Sequence, residues 1–433
     1  MAAVNPIKPR KQSPVAQKAI EHYIGLCQSL NAKTQNQMLS AKRLDAQKKL
    51  QALGLPMRRD EDWQYTSLNH WMQTAFEQNL PGWGKVNPDQ LKAILPIFGT
   101  HRFVWVDGVF SQDLSCGSAS LPSGLTVENA EITNADLVDS NHAFELLHDM
   151  LAENRTKIRV QKNVAIEKPV ELVYIQTQPK SLATLSLDVQ VEENAQLSLI
   201  QQVVSFADEP VCINGVLQME LAAQAICKQY VVQDLNTNDF YFNNQHVHQQ
   251  ASSVFDTLYV GLGAEVSRHQ NTVNLCGEYA DASQNTIAFG KGEQTIDSRT
   301  DTQHLAPHCN SQQLHKFVLD EQSRGVFNGM IYVAKGAQKT DGQMDNKNLL
   351  LSNNAKMDTK PQLEIYADDV KCSHGCASGQ IDENQVFYCQ ARGIHQHDAV
   401  QLITKAFLLE PLDNVSNEAI RDWLMQRVSK LLA

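Results

Sequence analysis

Val191-Glu192-Glu193-Asn194-Ala195-Gln196-Leu197 carries the pattern that decides the fold: an apolar residue, three small or polar residues, an alanine, and a return to the apolar face two residues later. The element recurs as Leu221 to Ala225, Val260 to Ala264, Val333 to Ala337 and Leu351 to Ala355. Two residues beyond the five alanines stand Leu197, Cys227, Val266, Lys339 and Met357, so four copies of five resume an apolar face. Each copy reads as strand, turn, strand. The intervals between copies are unequal, which excludes a strict-period propeller and suits a β-solenoid whose coils carry loops of different length. A two-sheet sandwich is the main rival, but it is hard to sustain over about 200 residues without a break. The expectation is a β-helix.

Outward from this element, the stretch from about Arg159 to Val370 is a series of short strands, such as Leu185 to Val191 and Gln362 to Tyr366, with period-two alternation. On either side the period becomes helical. From Val15 to about Leu53 the apolar residues Ile20, Tyr23, Ile24, Cys27, Leu30, Leu39, Leu44, Leu50 and Leu53 fall at helix spacing, and Gly54 and Pro56 end the pattern. Phe103-Val104-Trp105-Val106-Asp107-Gly108 reads as a strand entering a turn, and Ala143 to Leu151 as a further helix. From Asp382 the helical period returns, with Gly393 as a stop; a second helix carries Ala399, Leu402, Ile403, Ala406, Phe407 and Leu409, and a third Ile420, Trp423, Leu424, Val428 and Leu431. The chain therefore divides into a mostly helical region with a small mixed segment (1–158), a β-helix core (159–381) and a C-terminal helical region (382–433). The last helices either cap the end of the solenoid or present an apolar groove to another protein.

Composition narrows the function classes. A chain of 433 residues exceeds one ordinary core, and nine cysteines, an odd number scattered from Cys27 to Cys389, argue against a disulfide framework and for a reducing compartment. The start lacks a basic segment followed by an apolar run, and no 18-residue apolar stretch occurs, so a soluble cytoplasmic protein is expected. A net charge of −11 disfavours nucleic acid as a partner, and the basic residues from Lys8 to Lys11 read as a solvated arm.

The stretch richest in ligand chemistry is Asp368-Asp369-Val370-Lys371-Cys372-Ser373-His374-Gly375-Cys376. In a strand, Cys372, His374 and Cys376 would project from one face in steps of two residues, a geometry that could hold a soft metal. A closed zinc site needs a fourth ligand and usually wider spacing, and Gly375 invites a bend; a strand end with buried thiols accounts for the same residues. Other motifs fail. Gly336-Ala337-Gln338-Lys339-Thr340 lacks the glycine spacing that cradles phosphate, Gly261-Leu262-Gly263 lacks the third glycine of a dinucleotide loop, and neither H-E-x-x-H nor G-x-S-x-G occurs. His246, His248, His304, His308 and His315, with Cys309, read as hydrogen-bonded structural or surface residues. No carboxylate pair stands at a recognisable spacing in the strands.

The runs Val326-Phe327-Asn328-Gly329-Met330-Ile331-Tyr332-Val333, Ala337-Gln338-Lys339-Thr340-Asp341, Asn346 to Ser352, and Asp358 to Gly375 continuing through Phe387-Tyr388 to Arg392-Gly393-Ile394 resemble the SufB/SufD family of iron-sulfur cluster assembly proteins. The resemblance is dense from about Thr295 to Ile394 and thinner back to Arg58, where Arg58-Arg59-Asp60-Glu61-Asp62-Trp63-Gln64-Tyr65-Thr66 is similar to the SufD branch. It implies a mainly β protein: a right-handed parallel β-helix flanked by N-terminal and C-terminal α-helical regions, acting as a non-catalytic scaffold. It further implies pairing with a SufB-like scaffold through the β-helix, docking of a SufC-like ATPase on the helices after Asp382, and a homodimer when the chain is isolated. No nucleotide, nucleic acid or membrane is expected to bind this chain itself. A transient iron-sulfur cluster, or iron being acquired for one, would sit at the partner interface, where the family's histidine and cysteine correspond to His374 and Cys372. Cys376 stands where the SufD branch commonly has a small residue, and Cys389 where it often has leucine and SufB members can have cysteine; both are secondary candidates. Two alternatives from other classes are a stand-alone metal-binding β-solenoid and a carbohydrate-active β-helix enzyme.

Overall fold

The structure, a computed structural model, describes residues 11–78, 86–116, 121–138 and 140–431; Lys8 and Arg10 of the basic arm lie outside them. The chain opens with α1 (Pro14–Lys33), α2 (Gln37–Leu53), α3 (Asn69–Thr74), β1 (Glu77–Gln78), α4 (Pro88–Ile94), β2 (His101–Val106), β3 (Val109–Ser111), β4 (Leu125–Glu131) and α5 (Ala143–Leu151). The helical spacing from Val15 to about Leu53 is realised as two helices, α1 and α2. Asn36 interrupts it, its side chain accepting from the Leu39 N–H as an N-cap. Asp107 and Gly108, both with positive φ, turn β2 back into β3.

The solenoid follows as sixteen strands: β5 (Asn154–Val160), β6 (Val170–Gln176), β7 (Ser181–Val191), β8 (Gln196–Ser205), β9 (Cys212–Leu221), β10 (Ile226–Asp234), β11 (Phe240–Gln249), β12 (Val254–Gly261), β13 (Val266–Leu275), β14 (Asp281–Gly290), β15 (Thr295–His304), β16 (Asn310–Leu319), β17 (Arg324–Val333), β18 (Asp341–Leu350), β19 (Lys356–Ile365) and β20 (Lys371–Gln380). Odd-numbered strands pair in parallel to form one sheet and even-numbered strands the other, giving about eight turns; the sandwich rival is excluded. Each turn takes about thirty residues, Asn310 pairing with Asp341 and Asp341 with Lys371.

The repeated alanine marks the corners. Where odd strands lead into even ones, Asn163, Asn194, Gln224, Ser252, Tyr279, His308 and Lys339 take up left-handed φ, and each donates its N–H to a carbonyl one turn on. Ala195, Ala225 and Ala337 fill the inside of this corner, fully buried where a larger side chain would collide. Ala264 and Ala355 occupy the opposite corner, so the sequence element is a half-coil rather than a whole turn. In the Val333 copy the left-handed residue falls two places after the alanine, which is why Lys339 breaks the apolar pattern.

Both outer faces of the solenoid are partly covered. On the odd sheet, α1, α3 and α5 bury Tyr23, Trp71 and Phe144 against Phe240 and Phe242, the Phe144 and Phe242 rings stacking at 3.7 Å. On the even sheet, α7 (Gln396–Leu409) and α8 (Glu418–Leu431) lay Leu408, Leu412, Trp423, Leu424 and Val428 over Ile200, Val232, Val260, Ile287 and Val318. The C-terminal helices therefore run along the side of the solenoid instead of hanging off or capping its end. The alternating apolar residues on the outer face of the even strands impose this, since they need a cover. Only α6 (Glu383–Gln390) stands largely clear, with Val386 its one buried residue.

The interior is apolar near β5–β7 and increasingly polar toward the middle turns. Gln229 and Gln245 hydrogen-bond at 2.7 Å, Gln284 donates to Thr302 at 2.7 Å, and His304 and His315 bond Ser311 and Thr286. Burial pushes the pKa of His304 down to about 4 and that of His315 to about 3, so both imidazoles are neutral at pH 7.

Candidate functional site: the open end of the solenoid

Along β18, Gly342, Met344, Asn346 and Asn348 point into the solenoid and are buried. The parallel register sets Cys372 over Gly342, His374 over Met344, Cys376 over Asn346 and Ser378 over Asn348. These side chains are thus the last members of interior columns. No further strand follows β20, so residues that would be core one turn earlier are half-buried (Cys372) or exposed (His374, Cys376). The Cys372 sulfur packs over Gly342, 3.6 Å from the point a Cβ at residue 342 would occupy, an ordinary van der Waals contact.

The environments differ. Cys372 packs beside the core cluster of Phe327, Ile331 and Met344, and burial raises its thiol pKa, assisted by the Asp341 charge and opposed by a hydrogen bond to the Gly342 backbone. In the isolated chain this cysteine is therefore a thiol at neutral pH. The Cys376 sulfur lies 3.0 Å from Thr359 Oγ1 and 3.7 Å from Asn346 Oδ1. Cys389 sits on α6, half-buried, away from this strand face. Although Cys372, His374 and Cys376 share a face, a strand spaces alternate side chains about 7 Å apart. Among the described residues no three His, Cys, Asp or Glu side chains converge closely enough to hold a metal ion.

Thr359, Met344 and Asn346 shape this end and escape a reading of the local sequence. The signal that locates the last two is the turn repeat of about thirty residues, which aligns Gly342, Met344 and Asn346 with Cys372, His374 and Cys376. The edges of β19 and β20 are unpaired, since β19 bonds only β17 and β20 only β18. Ile365 and Tyr366 are exposed beside them, and Phe387, Tyr388 and Leu402 form exposed apolar positions on α6 and α7. The other histidines serve packing and hydrogen bonds: His246 Nε2 lies 2.7 Å from the buried carboxylate of Glu145, and His308 stacks on Tyr279. No helix among the described residues is long and apolar enough to cross a membrane.

These features define the class of protein by its fold: a parallel β-solenoid of about eight turns with helices on its flanks and ligand-type side chains at the turn that ends the stack. The sequence matches two family descriptions in tandem, the SufBD protein N-terminal region over residues 15–172 and the SUF system FeS cluster assembly SufBD core domain over residues 174–407. The iron-sulfur cluster assembly protein SufD of Escherichia coli is 34% identical over 397 residues, covering 89% of this chain and 92% of that one. An iron-sulfur cluster assembly SufBD family protein of Synechocystis is 29% identical, covering 93% of both chains, and the SufD protein of Bacillus subtilis is 22% identical over 90% of this chain and 93% of its own. The chain belongs to the SufBD family of iron-sulfur cluster assembly proteins and is SufD-like.

Proposed function

We propose that this chain is a non-catalytic scaffold subunit that completes its open end by pairing with a SufB-like chain, and that a nascent iron-sulfur cluster, or iron destined for it, is held between the two as cargo. The observation that carries this reading is the pair of edge strands β19 and β20, ten residues each and open along one edge among the described residues, with His374 and Cys372 at the mouth of the interior columns. Unpaired strand edges of this length invite strand addition, and solenoids are normally capped. A protomer that offers only a histidine and a protonated thiol holds soft metal weakly, and a thiolate and further ligands from across the interface would complete the set. ATP hydrolysis belongs in this reading to a SufC-like partner docked on α6 and α7, where Phe387, Tyr388 and Leu402 are exposed.

Co-expression with a SufB-like chain and a SufC-like ATPase, followed by co-purification and cluster spectroscopy, tests the proposal. His374→Ala is expected to leave the complex intact while lowering cluster yield, with Cys372→Ser giving a smaller loss. Phe387→Asp with Leu402→Asp is expected to release the ATPase while the scaffold pair persists. Wild-type cluster yield in His374→Ala complexes would remove the histidine from the site, and failure to recover any SufB-like partner would sink the scaffold assignment.

A further inference from the structure

The outer face of the odd sheet is open beyond the helical cover. The segment 56–63 and the start of α5 wall a groove of about 930 Å3 that runs across β11 to β19. Its floor comes from side chains stacked turn upon turn. Asn244, Gln270 and Asn328 fall on one register line, with Arg299 between the last two. Asp301 lies on the next line, and Tyr332 and Glu364 pair with each other on the third.

The charge balance of this groove is uneven. Its buried guanidiniums are already taken: Arg268 bonds Asp297, and Arg299 bonds Asp297 and Asp62. Arg59 donates to the Lys11 carbonyl. Among the described residues no cation of this chain reaches Asp301 or Glu364; Asp301 accepts a hydrogen bond only from Gln303. Burial and the neighbouring Glu364 charge both raise the Asp301 pKa, as expected for two carboxylates that lack a counter-ion. Independently, Asn244 is only 8% exposed and faces the groove, yet its amide makes no hydrogen bond among the described residues. Its amide atoms keep access to the groove, so both the donor and the acceptor are free to pair with an incoming main chain.

We propose that this groove binds an extended basic peptide segment of a partner protein, with a lysine or arginine side chain between Asp301 and Glu364 against the Tyr332 ring and the main chain along Asn244, Gln270 and Asn328. Each amide offers both a donor and an acceptor, which matches the N–H and C=O of an extended main chain. Four strand spacings of about 4.8 Å span roughly 19 Å, the length of about six extended residues. The aromatic face adds cation–π attraction to the carboxylate charges. The site lies on the outer side of the odd sheet and reaches β19 at its Glu364 end.

The test uses the full chain and a fluorescein-labelled heptapeptide of glycine, serine and two arginines, followed by fluorescence anisotropy at about 0.15 M salt, where long-range attraction is screened. Saturable binding is expected, weakened about tenfold or more in Asp301→Asn/Glu364→Gln and about threefold in Asn244→Ala. It should be unchanged in Glu128→Gln/Glu131→Gln, which removes the same charge from exposed positions on β4, and lost when glutamine replaces both arginines of the peptide. The carboxylate variant relieves repulsion, so its melting curve should not fall below wild type. Absence of binding, equal weakening by the β4 control, or equally tight binding of spermidine would each overturn the proposal.

Discussion

The two ends of the solenoid treat the same problem in opposite ways. At the first turn, β4 runs antiparallel along β5 from Leu125 opposite Val160, while β2 extends the other sheet beside β6 and is itself backed by β3. Antiparallel additions and the Trp105 and Phe110 rings stop the stack. At the last turn, β19 and β20 each keep one edge without a strand partner among the described residues, and the interior columns simply end in Cys372, His374 and Cys376. A fold that caps one end so thoroughly has the means to cap the other. In the scaffold reading proposed above, the open edge supplies the surface for assembly and the ligand-type side chains supply what it carries.

The largest expected effect separates covered from open surface. Truncation after Asp382 strips Leu408, Leu412, Trp423, Leu424 and Val428 from the even sheet, each contributing roughly 1.5–3 kcal/mol of burial. The truncated chain is therefore expected to aggregate or lose cooperative unfolding, measured by sedimentation and thermal melting. A soluble, cooperatively melting truncation would show that the C-terminal helices are an appendage, and the contrast between covered and open faces would lose its force.

One column, one turn apart, gives the next test. Met344 is buried directly beneath exposed His374. Met344→Ala is expected to cost about 2–5 kcal/mol in denaturant unfolding, whereas His374→Ala should stay within about 0.5 kcal/mol of wild type. Equal losses would mean the terminal turn is as fully packed as the one below it. Glycines sharpen the same comparison more gently. At Gly329 a Cβ would lie 2.3 Å from Met344 Sδ and 2.7 Å from Phe327 Cζ in a closed interior, while at Gly375 the 2.4 Å contact is with the tip of Asp345, a surface side chain able to move. Gly329→Ala should destabilise by about 1–3 kcal/mol and Gly375→Ala by clearly less, read from the same unfolding curves.

Much of this was written in the local sequence. The alanine element marks corners because only a small side chain fits inside them, and the change of period marks where helices give way to strands. What stayed hidden depends on stacking. Gln229, Gln284 and Gln313 occupy interior positions that alternation assigns to apolar residues, and hydrogen bonds to other interior side chains, Gln201 for the first and Thr302 for the other two, make them tolerable. Asp301 and Glu364 lie 63 positions apart in the chain yet line one groove, a juxtaposition that no local spacing can reveal. The C-terminal helices showed their apolar stripes, but which surface those stripes cover was set by the outer columns of β8 to β18. At the open end, spacing identified a shared face for Cys372, His374 and Cys376 but not their failure to converge, which follows from the length of a strand step.

The smallest effect concerns how the C-terminal cover is pinned. Glu410, just after α7, holds Lys316 of β16 and Lys347 of β18, and the Lys316 ammonium also sits 4.1 Å from the Phe407 ring centre. The hydrogen bond from Lys316 lowers the Glu410 pKa; burial opposes it, and the bond from Lys347 with both lysine charges carries the balance downward. A carboxylate with a folded pKa below its unfolded value stabilises the fold fully above the unfolded value, about 4.3, and the contribution disappears as pH falls through the lower, folded pKa. Because the carboxylate is 44% exposed, solvent screens the pair and the effect is small at moderate salt. The difference in melting temperature between wild type and Glu410→Gln should therefore be constant from pH 7 down to about 4.3 and shrink below it. Lys316, itself buried, keeps a residual penalty in the variant because glutamine offers it an acceptor but no charge. A difference that persists undiminished to pH 3 would mean that Glu410 acts through shape rather than charge, and that the helical cover is held by its apolar contacts alone.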